Sequence, residues 1–284
     1  MDKLTGKVIM DIPQIQKPAF PQPIRHIQRG GIFLVPISVV LAILIWHLVT
    51  QFSGLPAYIL PAPEMVWQKF LQVLSNGSLI RHSLITLGEV LFGLALGVTL
   101  ATVQGYFLAK SPLVEQLLSP YIVASQSVPI VAIAPLLVIW FGSGLTSKVL
   151  ICALIVFFPV LVNTIVGLRS VPEELRELMR SLHATRWQTF KYLEVPASLP
   201  IFLGGLRIGA TLAVIGAVVG EFAGSDRGLG FLISVGRGQF DTTLVFVAVF
   251  TLIAMAMILY GLVGWLERRL LSWRQRPDDV VYNT

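Results

Sequence analysis

Ser125-Gln126-Ser127 stands just before Pro129 in an otherwise apolar stretch. Proline has no backbone N–H, so a helix bends there, and hydroxyl and amide groups beside the bend can line a water-filled cavity. The same groups also serve as glue between helices. Asn163 offers similar chemistry from another apolar run. Glu89 is an acid within a third run; such a residue is costly in lipid and faces a pathway or pairs with a helix end. Arg207 lies close to the edge of its run and reads as an interfacial pairing residue. In "GEFAGSDRGLG" (residues 220–230), glycines surround Glu221, Asp226 and Arg227. That segment fits an outer gate, a contact for a binding protein or a plain re-entrant turn. None of these sets performs covalent chemistry. His26, His47, His82 and His183 lack metal-ligand spacing, and no Ser/His/Asp or paired-carboxylate arrangement is present. No phosphate-binding loop of the G-x-x-x-x-G-K-[ST] type occurs either; "GSGLTSK" (residues 142–148) has its glycines and lysine out of register. The expectation is no catalytic residue, no metal and no cofactor bound by this chain.

The elements that must hold these groups are set by composition. The chain is 55% hydrophobic and only 13% charged, about half the charge of a soluble domain. The fold class expected is an all-α membrane protein. Apolar runs at residues 31–50, 83–109, 118–141, 149–168, 199–220 and 244–265 predict six transmembrane helices. The third contains Pro120, Pro129 and Pro135, and the fourth Pro159. Lys and Arg favour the two tails and the central loop over the alternate loops by about three to one. The positive-inside rule therefore puts both termini and that loop in the cytoplasm. Residues 1–30 read as a cytoplasmic tail rather than a cleaved signal, residues 31–265 as the membrane domain and residues 266–284 as a second cytoplasmic tail. Residues 63–74 have apolar groups at helical spacing but are too short to span. The single Cys152 excludes an intrachain disulfide. The net charge of +6 fits cytoplasmic loops better than nucleic-acid binding.

The central loop, residues 169–198, is the most charged internal stretch, and its core reads "EELRELMRSLHATRWQTFKYLEVP". Ser170 to Glu173 and Thr185 to Gln188 each fit a capping box, predicting two short helices with a turn at "SLHA". The second helix is expected to end at Pro196, before the fifth span. Leu175, Leu178, Met179 and Leu182 form an apolar stripe that needs a partner surface. Without a partner, the loop would be a solvated hairpin joining two spans.

The loop resembles the cytoplasmic "EAA" loop of permease subunits of bacterial ABC importers. Glu177-Leu178-Met179 stands at Glu-Ala-Ala, His183 at the following Gly, and Leu193-Glu194-Val195-Pro196 at Ile-x-Leu-Pro. Both alanines and the glycine are replaced, but the spacing is kept. Histidine tolerates positive φ better than most residues, so the turn can survive. "SVPIVAIAPLLVIWFGSGLTSKV", "FFPVLVNTIVGLRSVP" and "VVGEFAGSDRGLGFLI" resemble the nitrate/sulfonate/taurine-type branch, and the resemblance covers roughly residues 60–273. It implies a multi-pass permease of the bacterial inner membrane, working with a second permease copy or a related subunit. Two ATPase subunits carrying ATP and Mg, and a periplasmic or lipid-anchored binding protein, would complete the assembly. Glu177, Leu178, Met179, His183, Ala184 and Pro196 would couple to the ATPase. Ser125, Gln126, Ser127, Asn163 and Glu89 would line the pathway, with Glu221, Asp226 and Arg227 at the outer gate. "TLGEVLFGLALG" and "SQSVPIVAIAP" look more like members associated with thiamine-pyrimidine precursors and riboflavin, and an acid at position 89 suits an anionic cargo poorly. Nitrate, sulfonate, taurine or bicarbonate is the alternative cargo. An ion-coupled carrier or a non-transporting scaffold is the alternative class.

Overall fold

A computed structural model of the chain describes residues 31–272. The tail expected at residues 1–30 lies outside them, as does the C-terminal tail beyond residue 272. The described residues form helices and connecting loops without a strand. The chain divides after Val49 into two units. Most of the first helix, α1 (Gly31–Phe52), belongs to the first unit; it holds Pro36 and no Asp, Glu, Lys or Arg.

The second unit contains α2 (Pro63–Ser75), α3 (Ser78–Lys110), α4 (Pro112–Gln126), α5 (Ile130–Phe141) and α6 (Leu145–Arg169). It continues with α7 (Glu173–Ser181), α8 (Arg186–Thr189), a π-helical turn (Phe190–Glu194), α9 (Val195–Ala223), α10 (Leu229–Gly238) and α11 (Thr242–Leu270). Among the described residues, α3, α6, α11 and the continuous run Arg186–Ala223 are long and apolar enough to cross a membrane. The pair α4 and α5 makes a fifth if taken as one broken span, and α1 contributes only the shorter apolar helix Pro36–Phe52. The count is therefore four or five where six were expected. Helix α11 also runs to Leu270, beyond the expected boundary at residue 265.

The central packing unit is α3, α6 and α9, and small residues set its closeness. Gly93, Gly97, Ala101 and Gly105 repeat every four residues on α3, all buried. A Cβ added at Gly97 would sit 2.7 Å from the Ala153 carbonyl oxygen on α6, and one at Gly105 2.8 Å from Thr164 Cβ. Helix α9 uses Gly205, Gly209, Ala213, Gly216 and Gly220 in the same way; a Cβ at Gly216 would lie 2.8 Å from Cys152 Cα. Apolar lipid supplies no hydrophobic drive between helices, so close van der Waals contact along small-residue stripes must hold the spans together. Cys152 adds one bond, its thiol donating to the Ala213 carbonyl at 3.5 Å.

Proline punctuates the remainder. The residue before a proline avoids helical geometry, so α4 stops at Gln126, and Pro129 is the extended cap that starts α5. The two helices meet at 90°, far sharper than a simple kink. Pro63 opens α2, which buries Val66 and Val73. Lys69 of α2 pairs with Asp241 at 2.6 Å, and Asp241 caps α11 by accepting from Leu244 N–H at 3.0 Å. Arg207 is a paired residue, as expected: it donates to Glu267 at 2.5 Å and lies 4.8 Å over the Tyr260 ring.

Candidate functional site

The central hairpin is built by local chemistry. Helix α7 begins after Pro172 without a side-chain cap, and the Ser170 hydroxyl instead donates back to the Gly167 carbonyl at 2.8 Å. The first expected capping box is therefore absent, because Ser170 continues the end of α6. The helix stops in a double turn: His183 N–H donates to the Arg180 carbonyl at 2.9 Å, and Ala184 N–H to the Met179 carbonyl at 3.0 Å. This Schellman arrangement requires a left-handed residue just past the helix. His183 supplies it, with φ of 53°. The turn expected at that position is thus present despite the missing glycine. Replacing His183 by valine should destabilise the hairpin by about 1–2 kcal/mol, whereas glycine should relax it. Limited proteolysis within residues 181–186 would read the difference, and equal cleavage of the two variants would contradict it.

The second capping box is complete. Gln188 N–H donates to the Thr185 hydroxyl at 3.3 Å, and Thr185 N–H donates to the Gln188 side chain at 2.7 Å. The helix does not end at Pro196 as expected but continues through it into the span. The π-helical turn allows this: Val195 N–H reaches back to the Phe190 carbonyl, so the ladder is reset before Pro196, which has no N–H to offer.

One acid ties the hairpin to the spans. Glu194 is 1% exposed and accepts from Lys110 at the end of α3 and from Arg176 of α7 at 3.1 Å. Arg176 also donates to the Leu168 carbonyl at the end of α6 at 2.8 Å. Four segments therefore converge on one carboxylate. Nothing in the local pattern singles it out, since Lys110 and Glu194 are 84 residues apart. Among the described residues the exposed face of α7 has no partner of this kind: Glu177 is exposed, as are Leu175, Leu178 and Leu182, while Met179 and Ala184 are half-buried.

Of the residues expected in a pathway, Ser125, Gln126 and Asn163 come together. They line an open cleft of about 410 Å³ with Val128, Ile155 and Phe158, at the break between α4 and α5. Asn163 donates to the Pro159 carbonyl at 2.7 Å, and its side chain fills the space left by Gly205. Ser127 does not line the cleft; it caps α4, and its hydroxyl donates to the Val123 carbonyl at 3.2 Å.

Glu89 lies elsewhere, 1% exposed, beside Glu221 and 3.9 Å from Lys148. It faces the interior of the helix packing and not an open passage. Glu221 is likewise 2% exposed, inside the packing and not at the outer surface. Its carboxylate accepts from Gly230 N–H, from Phe231 N–H at 3.2 Å and from the Thr86 hydroxyl at 2.6 Å. The Thr86 oxygen accepts in turn from Leu229 N–H at 2.8 Å, and His82 Nδ1 from Gly228 N–H at 2.9 Å. The four N–H groups that open α10 are thus satisfied by side chains of α3 and α9, as a buried helix start demands. A Cβ at Gly228 would collide with the Glu221 carboxylate. Asp226 and Arg227 do remain exposed, paired at 3.2 Å. The Arg227 side chain, by hydrogen bonding, holds the Asp226 carboxyl below its usual range.

This arrangement defines a polytopic helical membrane protein with a charged helical hairpin joining two spans. The family of binding-protein-dependent transport system inner membrane components matches residues 93–272. The chain belongs to that family: it is a membrane permease subunit of an ABC transport system and not an enzyme. It is 48% identical over 239 residues to the riboflavin transport system permease protein RibX of Chloroflexus aurantiacus, covering 84% of this chain and 89% of that one. It is 38% identical to the formylaminopyrimidine transport permease protein ThiX of Halalkalibacterium halodurans, covering 82% and 92%. Identity is 33% to the taurine transport system permease protein TauC of Escherichia coli, covering 81% and 85%. Among solved structures, an amino acid ABC transporter crystallised with histidines shares the fold with a TM-score of 0.55 at 19% identity, covering 70% and 98%. The inward-facing MetNI methionine transporter does so at 0.55 and 17%, covering 68% and 94%.

Proposed function

We propose that this chain forms one half of the translocation pathway of an ATP-driven importer for an uncharged heteroaromatic compound of the riboflavin or thiamine-pyrimidine-precursor class. The observation that carries the cargo class is the cleft at the α4–α5 break: its polar groups are hydroxyl and amide, and none of the described residues that line it is charged. Such a lining can hydrogen-bond a neutral heterocycle but leaves the charge of a sulfonate or nitrate without a counter-charge. The order of identity among relatives, RibX above ThiX above TauC, agrees. Glu89 has no part in this argument, since it is buried away from the cleft.

A second copy of the chain, or a related permease, would close the cleft. The exposed apolar groups on α4 and α5, among them Leu117, Tyr121, Val131 and Ile139, would meet that subunit or lipid. In the membrane α1 and the α4–α5 pair would serve as spans in addition to the other four, giving six, with both termini and the hairpin in the cytoplasm. The exposed face of α7 around Glu177 would dock on an ATPase subunit carrying ATP and Mg, and the exposed Asp226–Arg227 turn would meet a binding protein. Glu177→Lys should therefore reduce transport at least tenfold while the melting midpoint stays unchanged. Transport that persists in this variant would remove the coupling role of Glu177. Uptake of labelled riboflavin, hydroxymethylpyrimidine and taurine by proteoliposomes holding the assembled complex tests the cargo class. Taurine uptake alone would overturn it.

A further inference from the structure

Beside the hairpin, two cavities of about 600 Å³ each adjoin and share Tyr106, Phe107 and Arg186. The first is an apolar groove between α3 and the start of α9, walled by Val103, Phe107, Leu199 and Phe202 and closed by Trp187 and Phe190. The second is lined by four cations: Lys110, Arg176, Arg180 and Arg186. Two carboxylates answer them, Glu194 on Lys110 and Arg176, and Glu173 on Arg176 and Arg180. Arg186 is in none of the ion pairs among the described residues.

The order of these groups along one helix is informative. Helix α3 presents Thr102, Val103, Tyr106 and Phe107 to the groove and Lys110 to the cationic pocket. At 1.5 Å per residue, the change from oil to charge takes about 12 Å along the axis. The same change occurs on the returning chain, from Phe202 and Leu199 in the span to Arg186 in the hairpin. Trp187 and Tyr106 sit at the junction, where aromatic rings of membrane proteins meet lipid headgroups. Trp187 is 68% exposed and stacks on Phe190 at 5.5 Å, which packs edge-on against Tyr106 at 5.3 Å. An anionic amphiphile lying along this path would put its chain against α3 and α9 and its phosphate among the arginines.

The geometry points to a binding site for one anionic phospholipid in the leaflet on the hairpin side, with its phosphate at Arg186 and an acyl chain in the Val103–Phe202 groove. The surplus of cations over carboxylates selects an anionic headgroup. The groove selects a lipid over a soluble phosphate. Because Arg176 and Glu194 border the pocket, the lipid would brace the hairpin against the membrane. The site stands apart from the cargo reading and does not depend on it.

The test uses the full-length protein, with whatever subunits co-purify, stripped of lipid by extended detergent washing. Melting is followed while dioleoylphosphatidylglycerol, dioleoylphosphatidylcholine or glycerol phosphate is added. Phosphatidylglycerol should raise the melting midpoint, and the other two should not. R186Q should need about fivefold more phosphatidylglycerol for the same shift. R237Q, an equal charge loss at the exposed end of α10, should need no more than the native chain. A photoreactive Trp187→benzoylphenylalanine variant should cross-link to lipid in native membranes. Equal stabilisation by phosphatidylcholine, an equal effect of glycerol phosphate, or an unchanged R186Q titration would each overturn the proposal. So would a cross-link from position 187 to a second copy of the chain, which would make the groove a protein interface.

Discussion

Removing both Lys110 and Arg176 as alanines should destabilise the protein more than removing Glu194 does, although all three belong to one ion cluster. The reason lies in what each change leaves behind. With Glu194→Ala, the two cations lose their partner, but the side chains of Lys110 and Arg176 are 42% and 23% exposed and can turn toward water. With both cations gone, the Glu194 carboxylate, 1% exposed, has no solvent to reach. Breaking a buried pair by deleting one side costs about 3–5 kcal/mol when the survivor stays buried. The double-cation variant should approach that range, and Glu194→Ala should fall nearer 2 kcal/mol because its survivors are partly wet. Combining all three substitutions should recover part of the loss, since no uncompensated charge then remains. Melting midpoints in detergent give the order. A triple variant less stable than the double would show that Glu194 contributes by packing and not by pairing. The cluster also joins α3, α6, α7 and the π-helical turn that leads into α9, so the double-cation variant should lose coupled transport even where protein survives.

The second large effect belongs to the helix stripes. Gly97→Leu should cost about 3 kcal/mol, because its Cβ would meet backbone of α6, namely the Ala153 carbonyl at 2.7 Å and Cα at 3.1 Å. Backbone cannot rotate away, so the two spans would have to part along their length and give up the contacts that hold them. Gly88→Leu is the matched control on the same helix, since a Cβ there meets nothing within 4 Å. It should be neutral or slightly stabilising, because leucine is the better helix former. Recovery of monodisperse protein by size exclusion after heating would separate the two. Equal recovery would mean that the α3–α6 contact contributes little.

What could be read from the sequence was what local chemistry decides. Four of the six expected spans, those now seen as α3, α6, α9 and α11, followed from apolar runs, because hydrocarbon rejects charge whatever the rest of the chain does. The Thr185–Gln188 box and the left-handed His183 turn needed only neighbours within a few residues. The break near Pro129 was legible for the same reason, although its 90° angle was not. Single local signals could also mislead. Ser170 matched a capping pattern for α7 but caps the end of α6 instead, and Pro196 looked like a stop because the π-helical turn before it left no residue signature.

Tertiary structure alone decided which charges stay exposed and which are struts. Asp226 and Glu221 stand five residues apart in one glycine-rich segment, yet one is in water and the other caps α10 from inside the packing. Glu194 passed as one more charge in a charged loop until folding brought Lys110 beside it from 84 residues away. Ser125 and Asn163 were each legible as polar residues in oil, but only the folded chain puts them on one cleft and leaves Glu89 and Ser127 off it. The physical reason is common to all of these. The cost of placing a polar group in lipid is a property of the residue and shows in the sequence, whereas the partner that offsets that cost comes from another helix, and only packing brings it within reach.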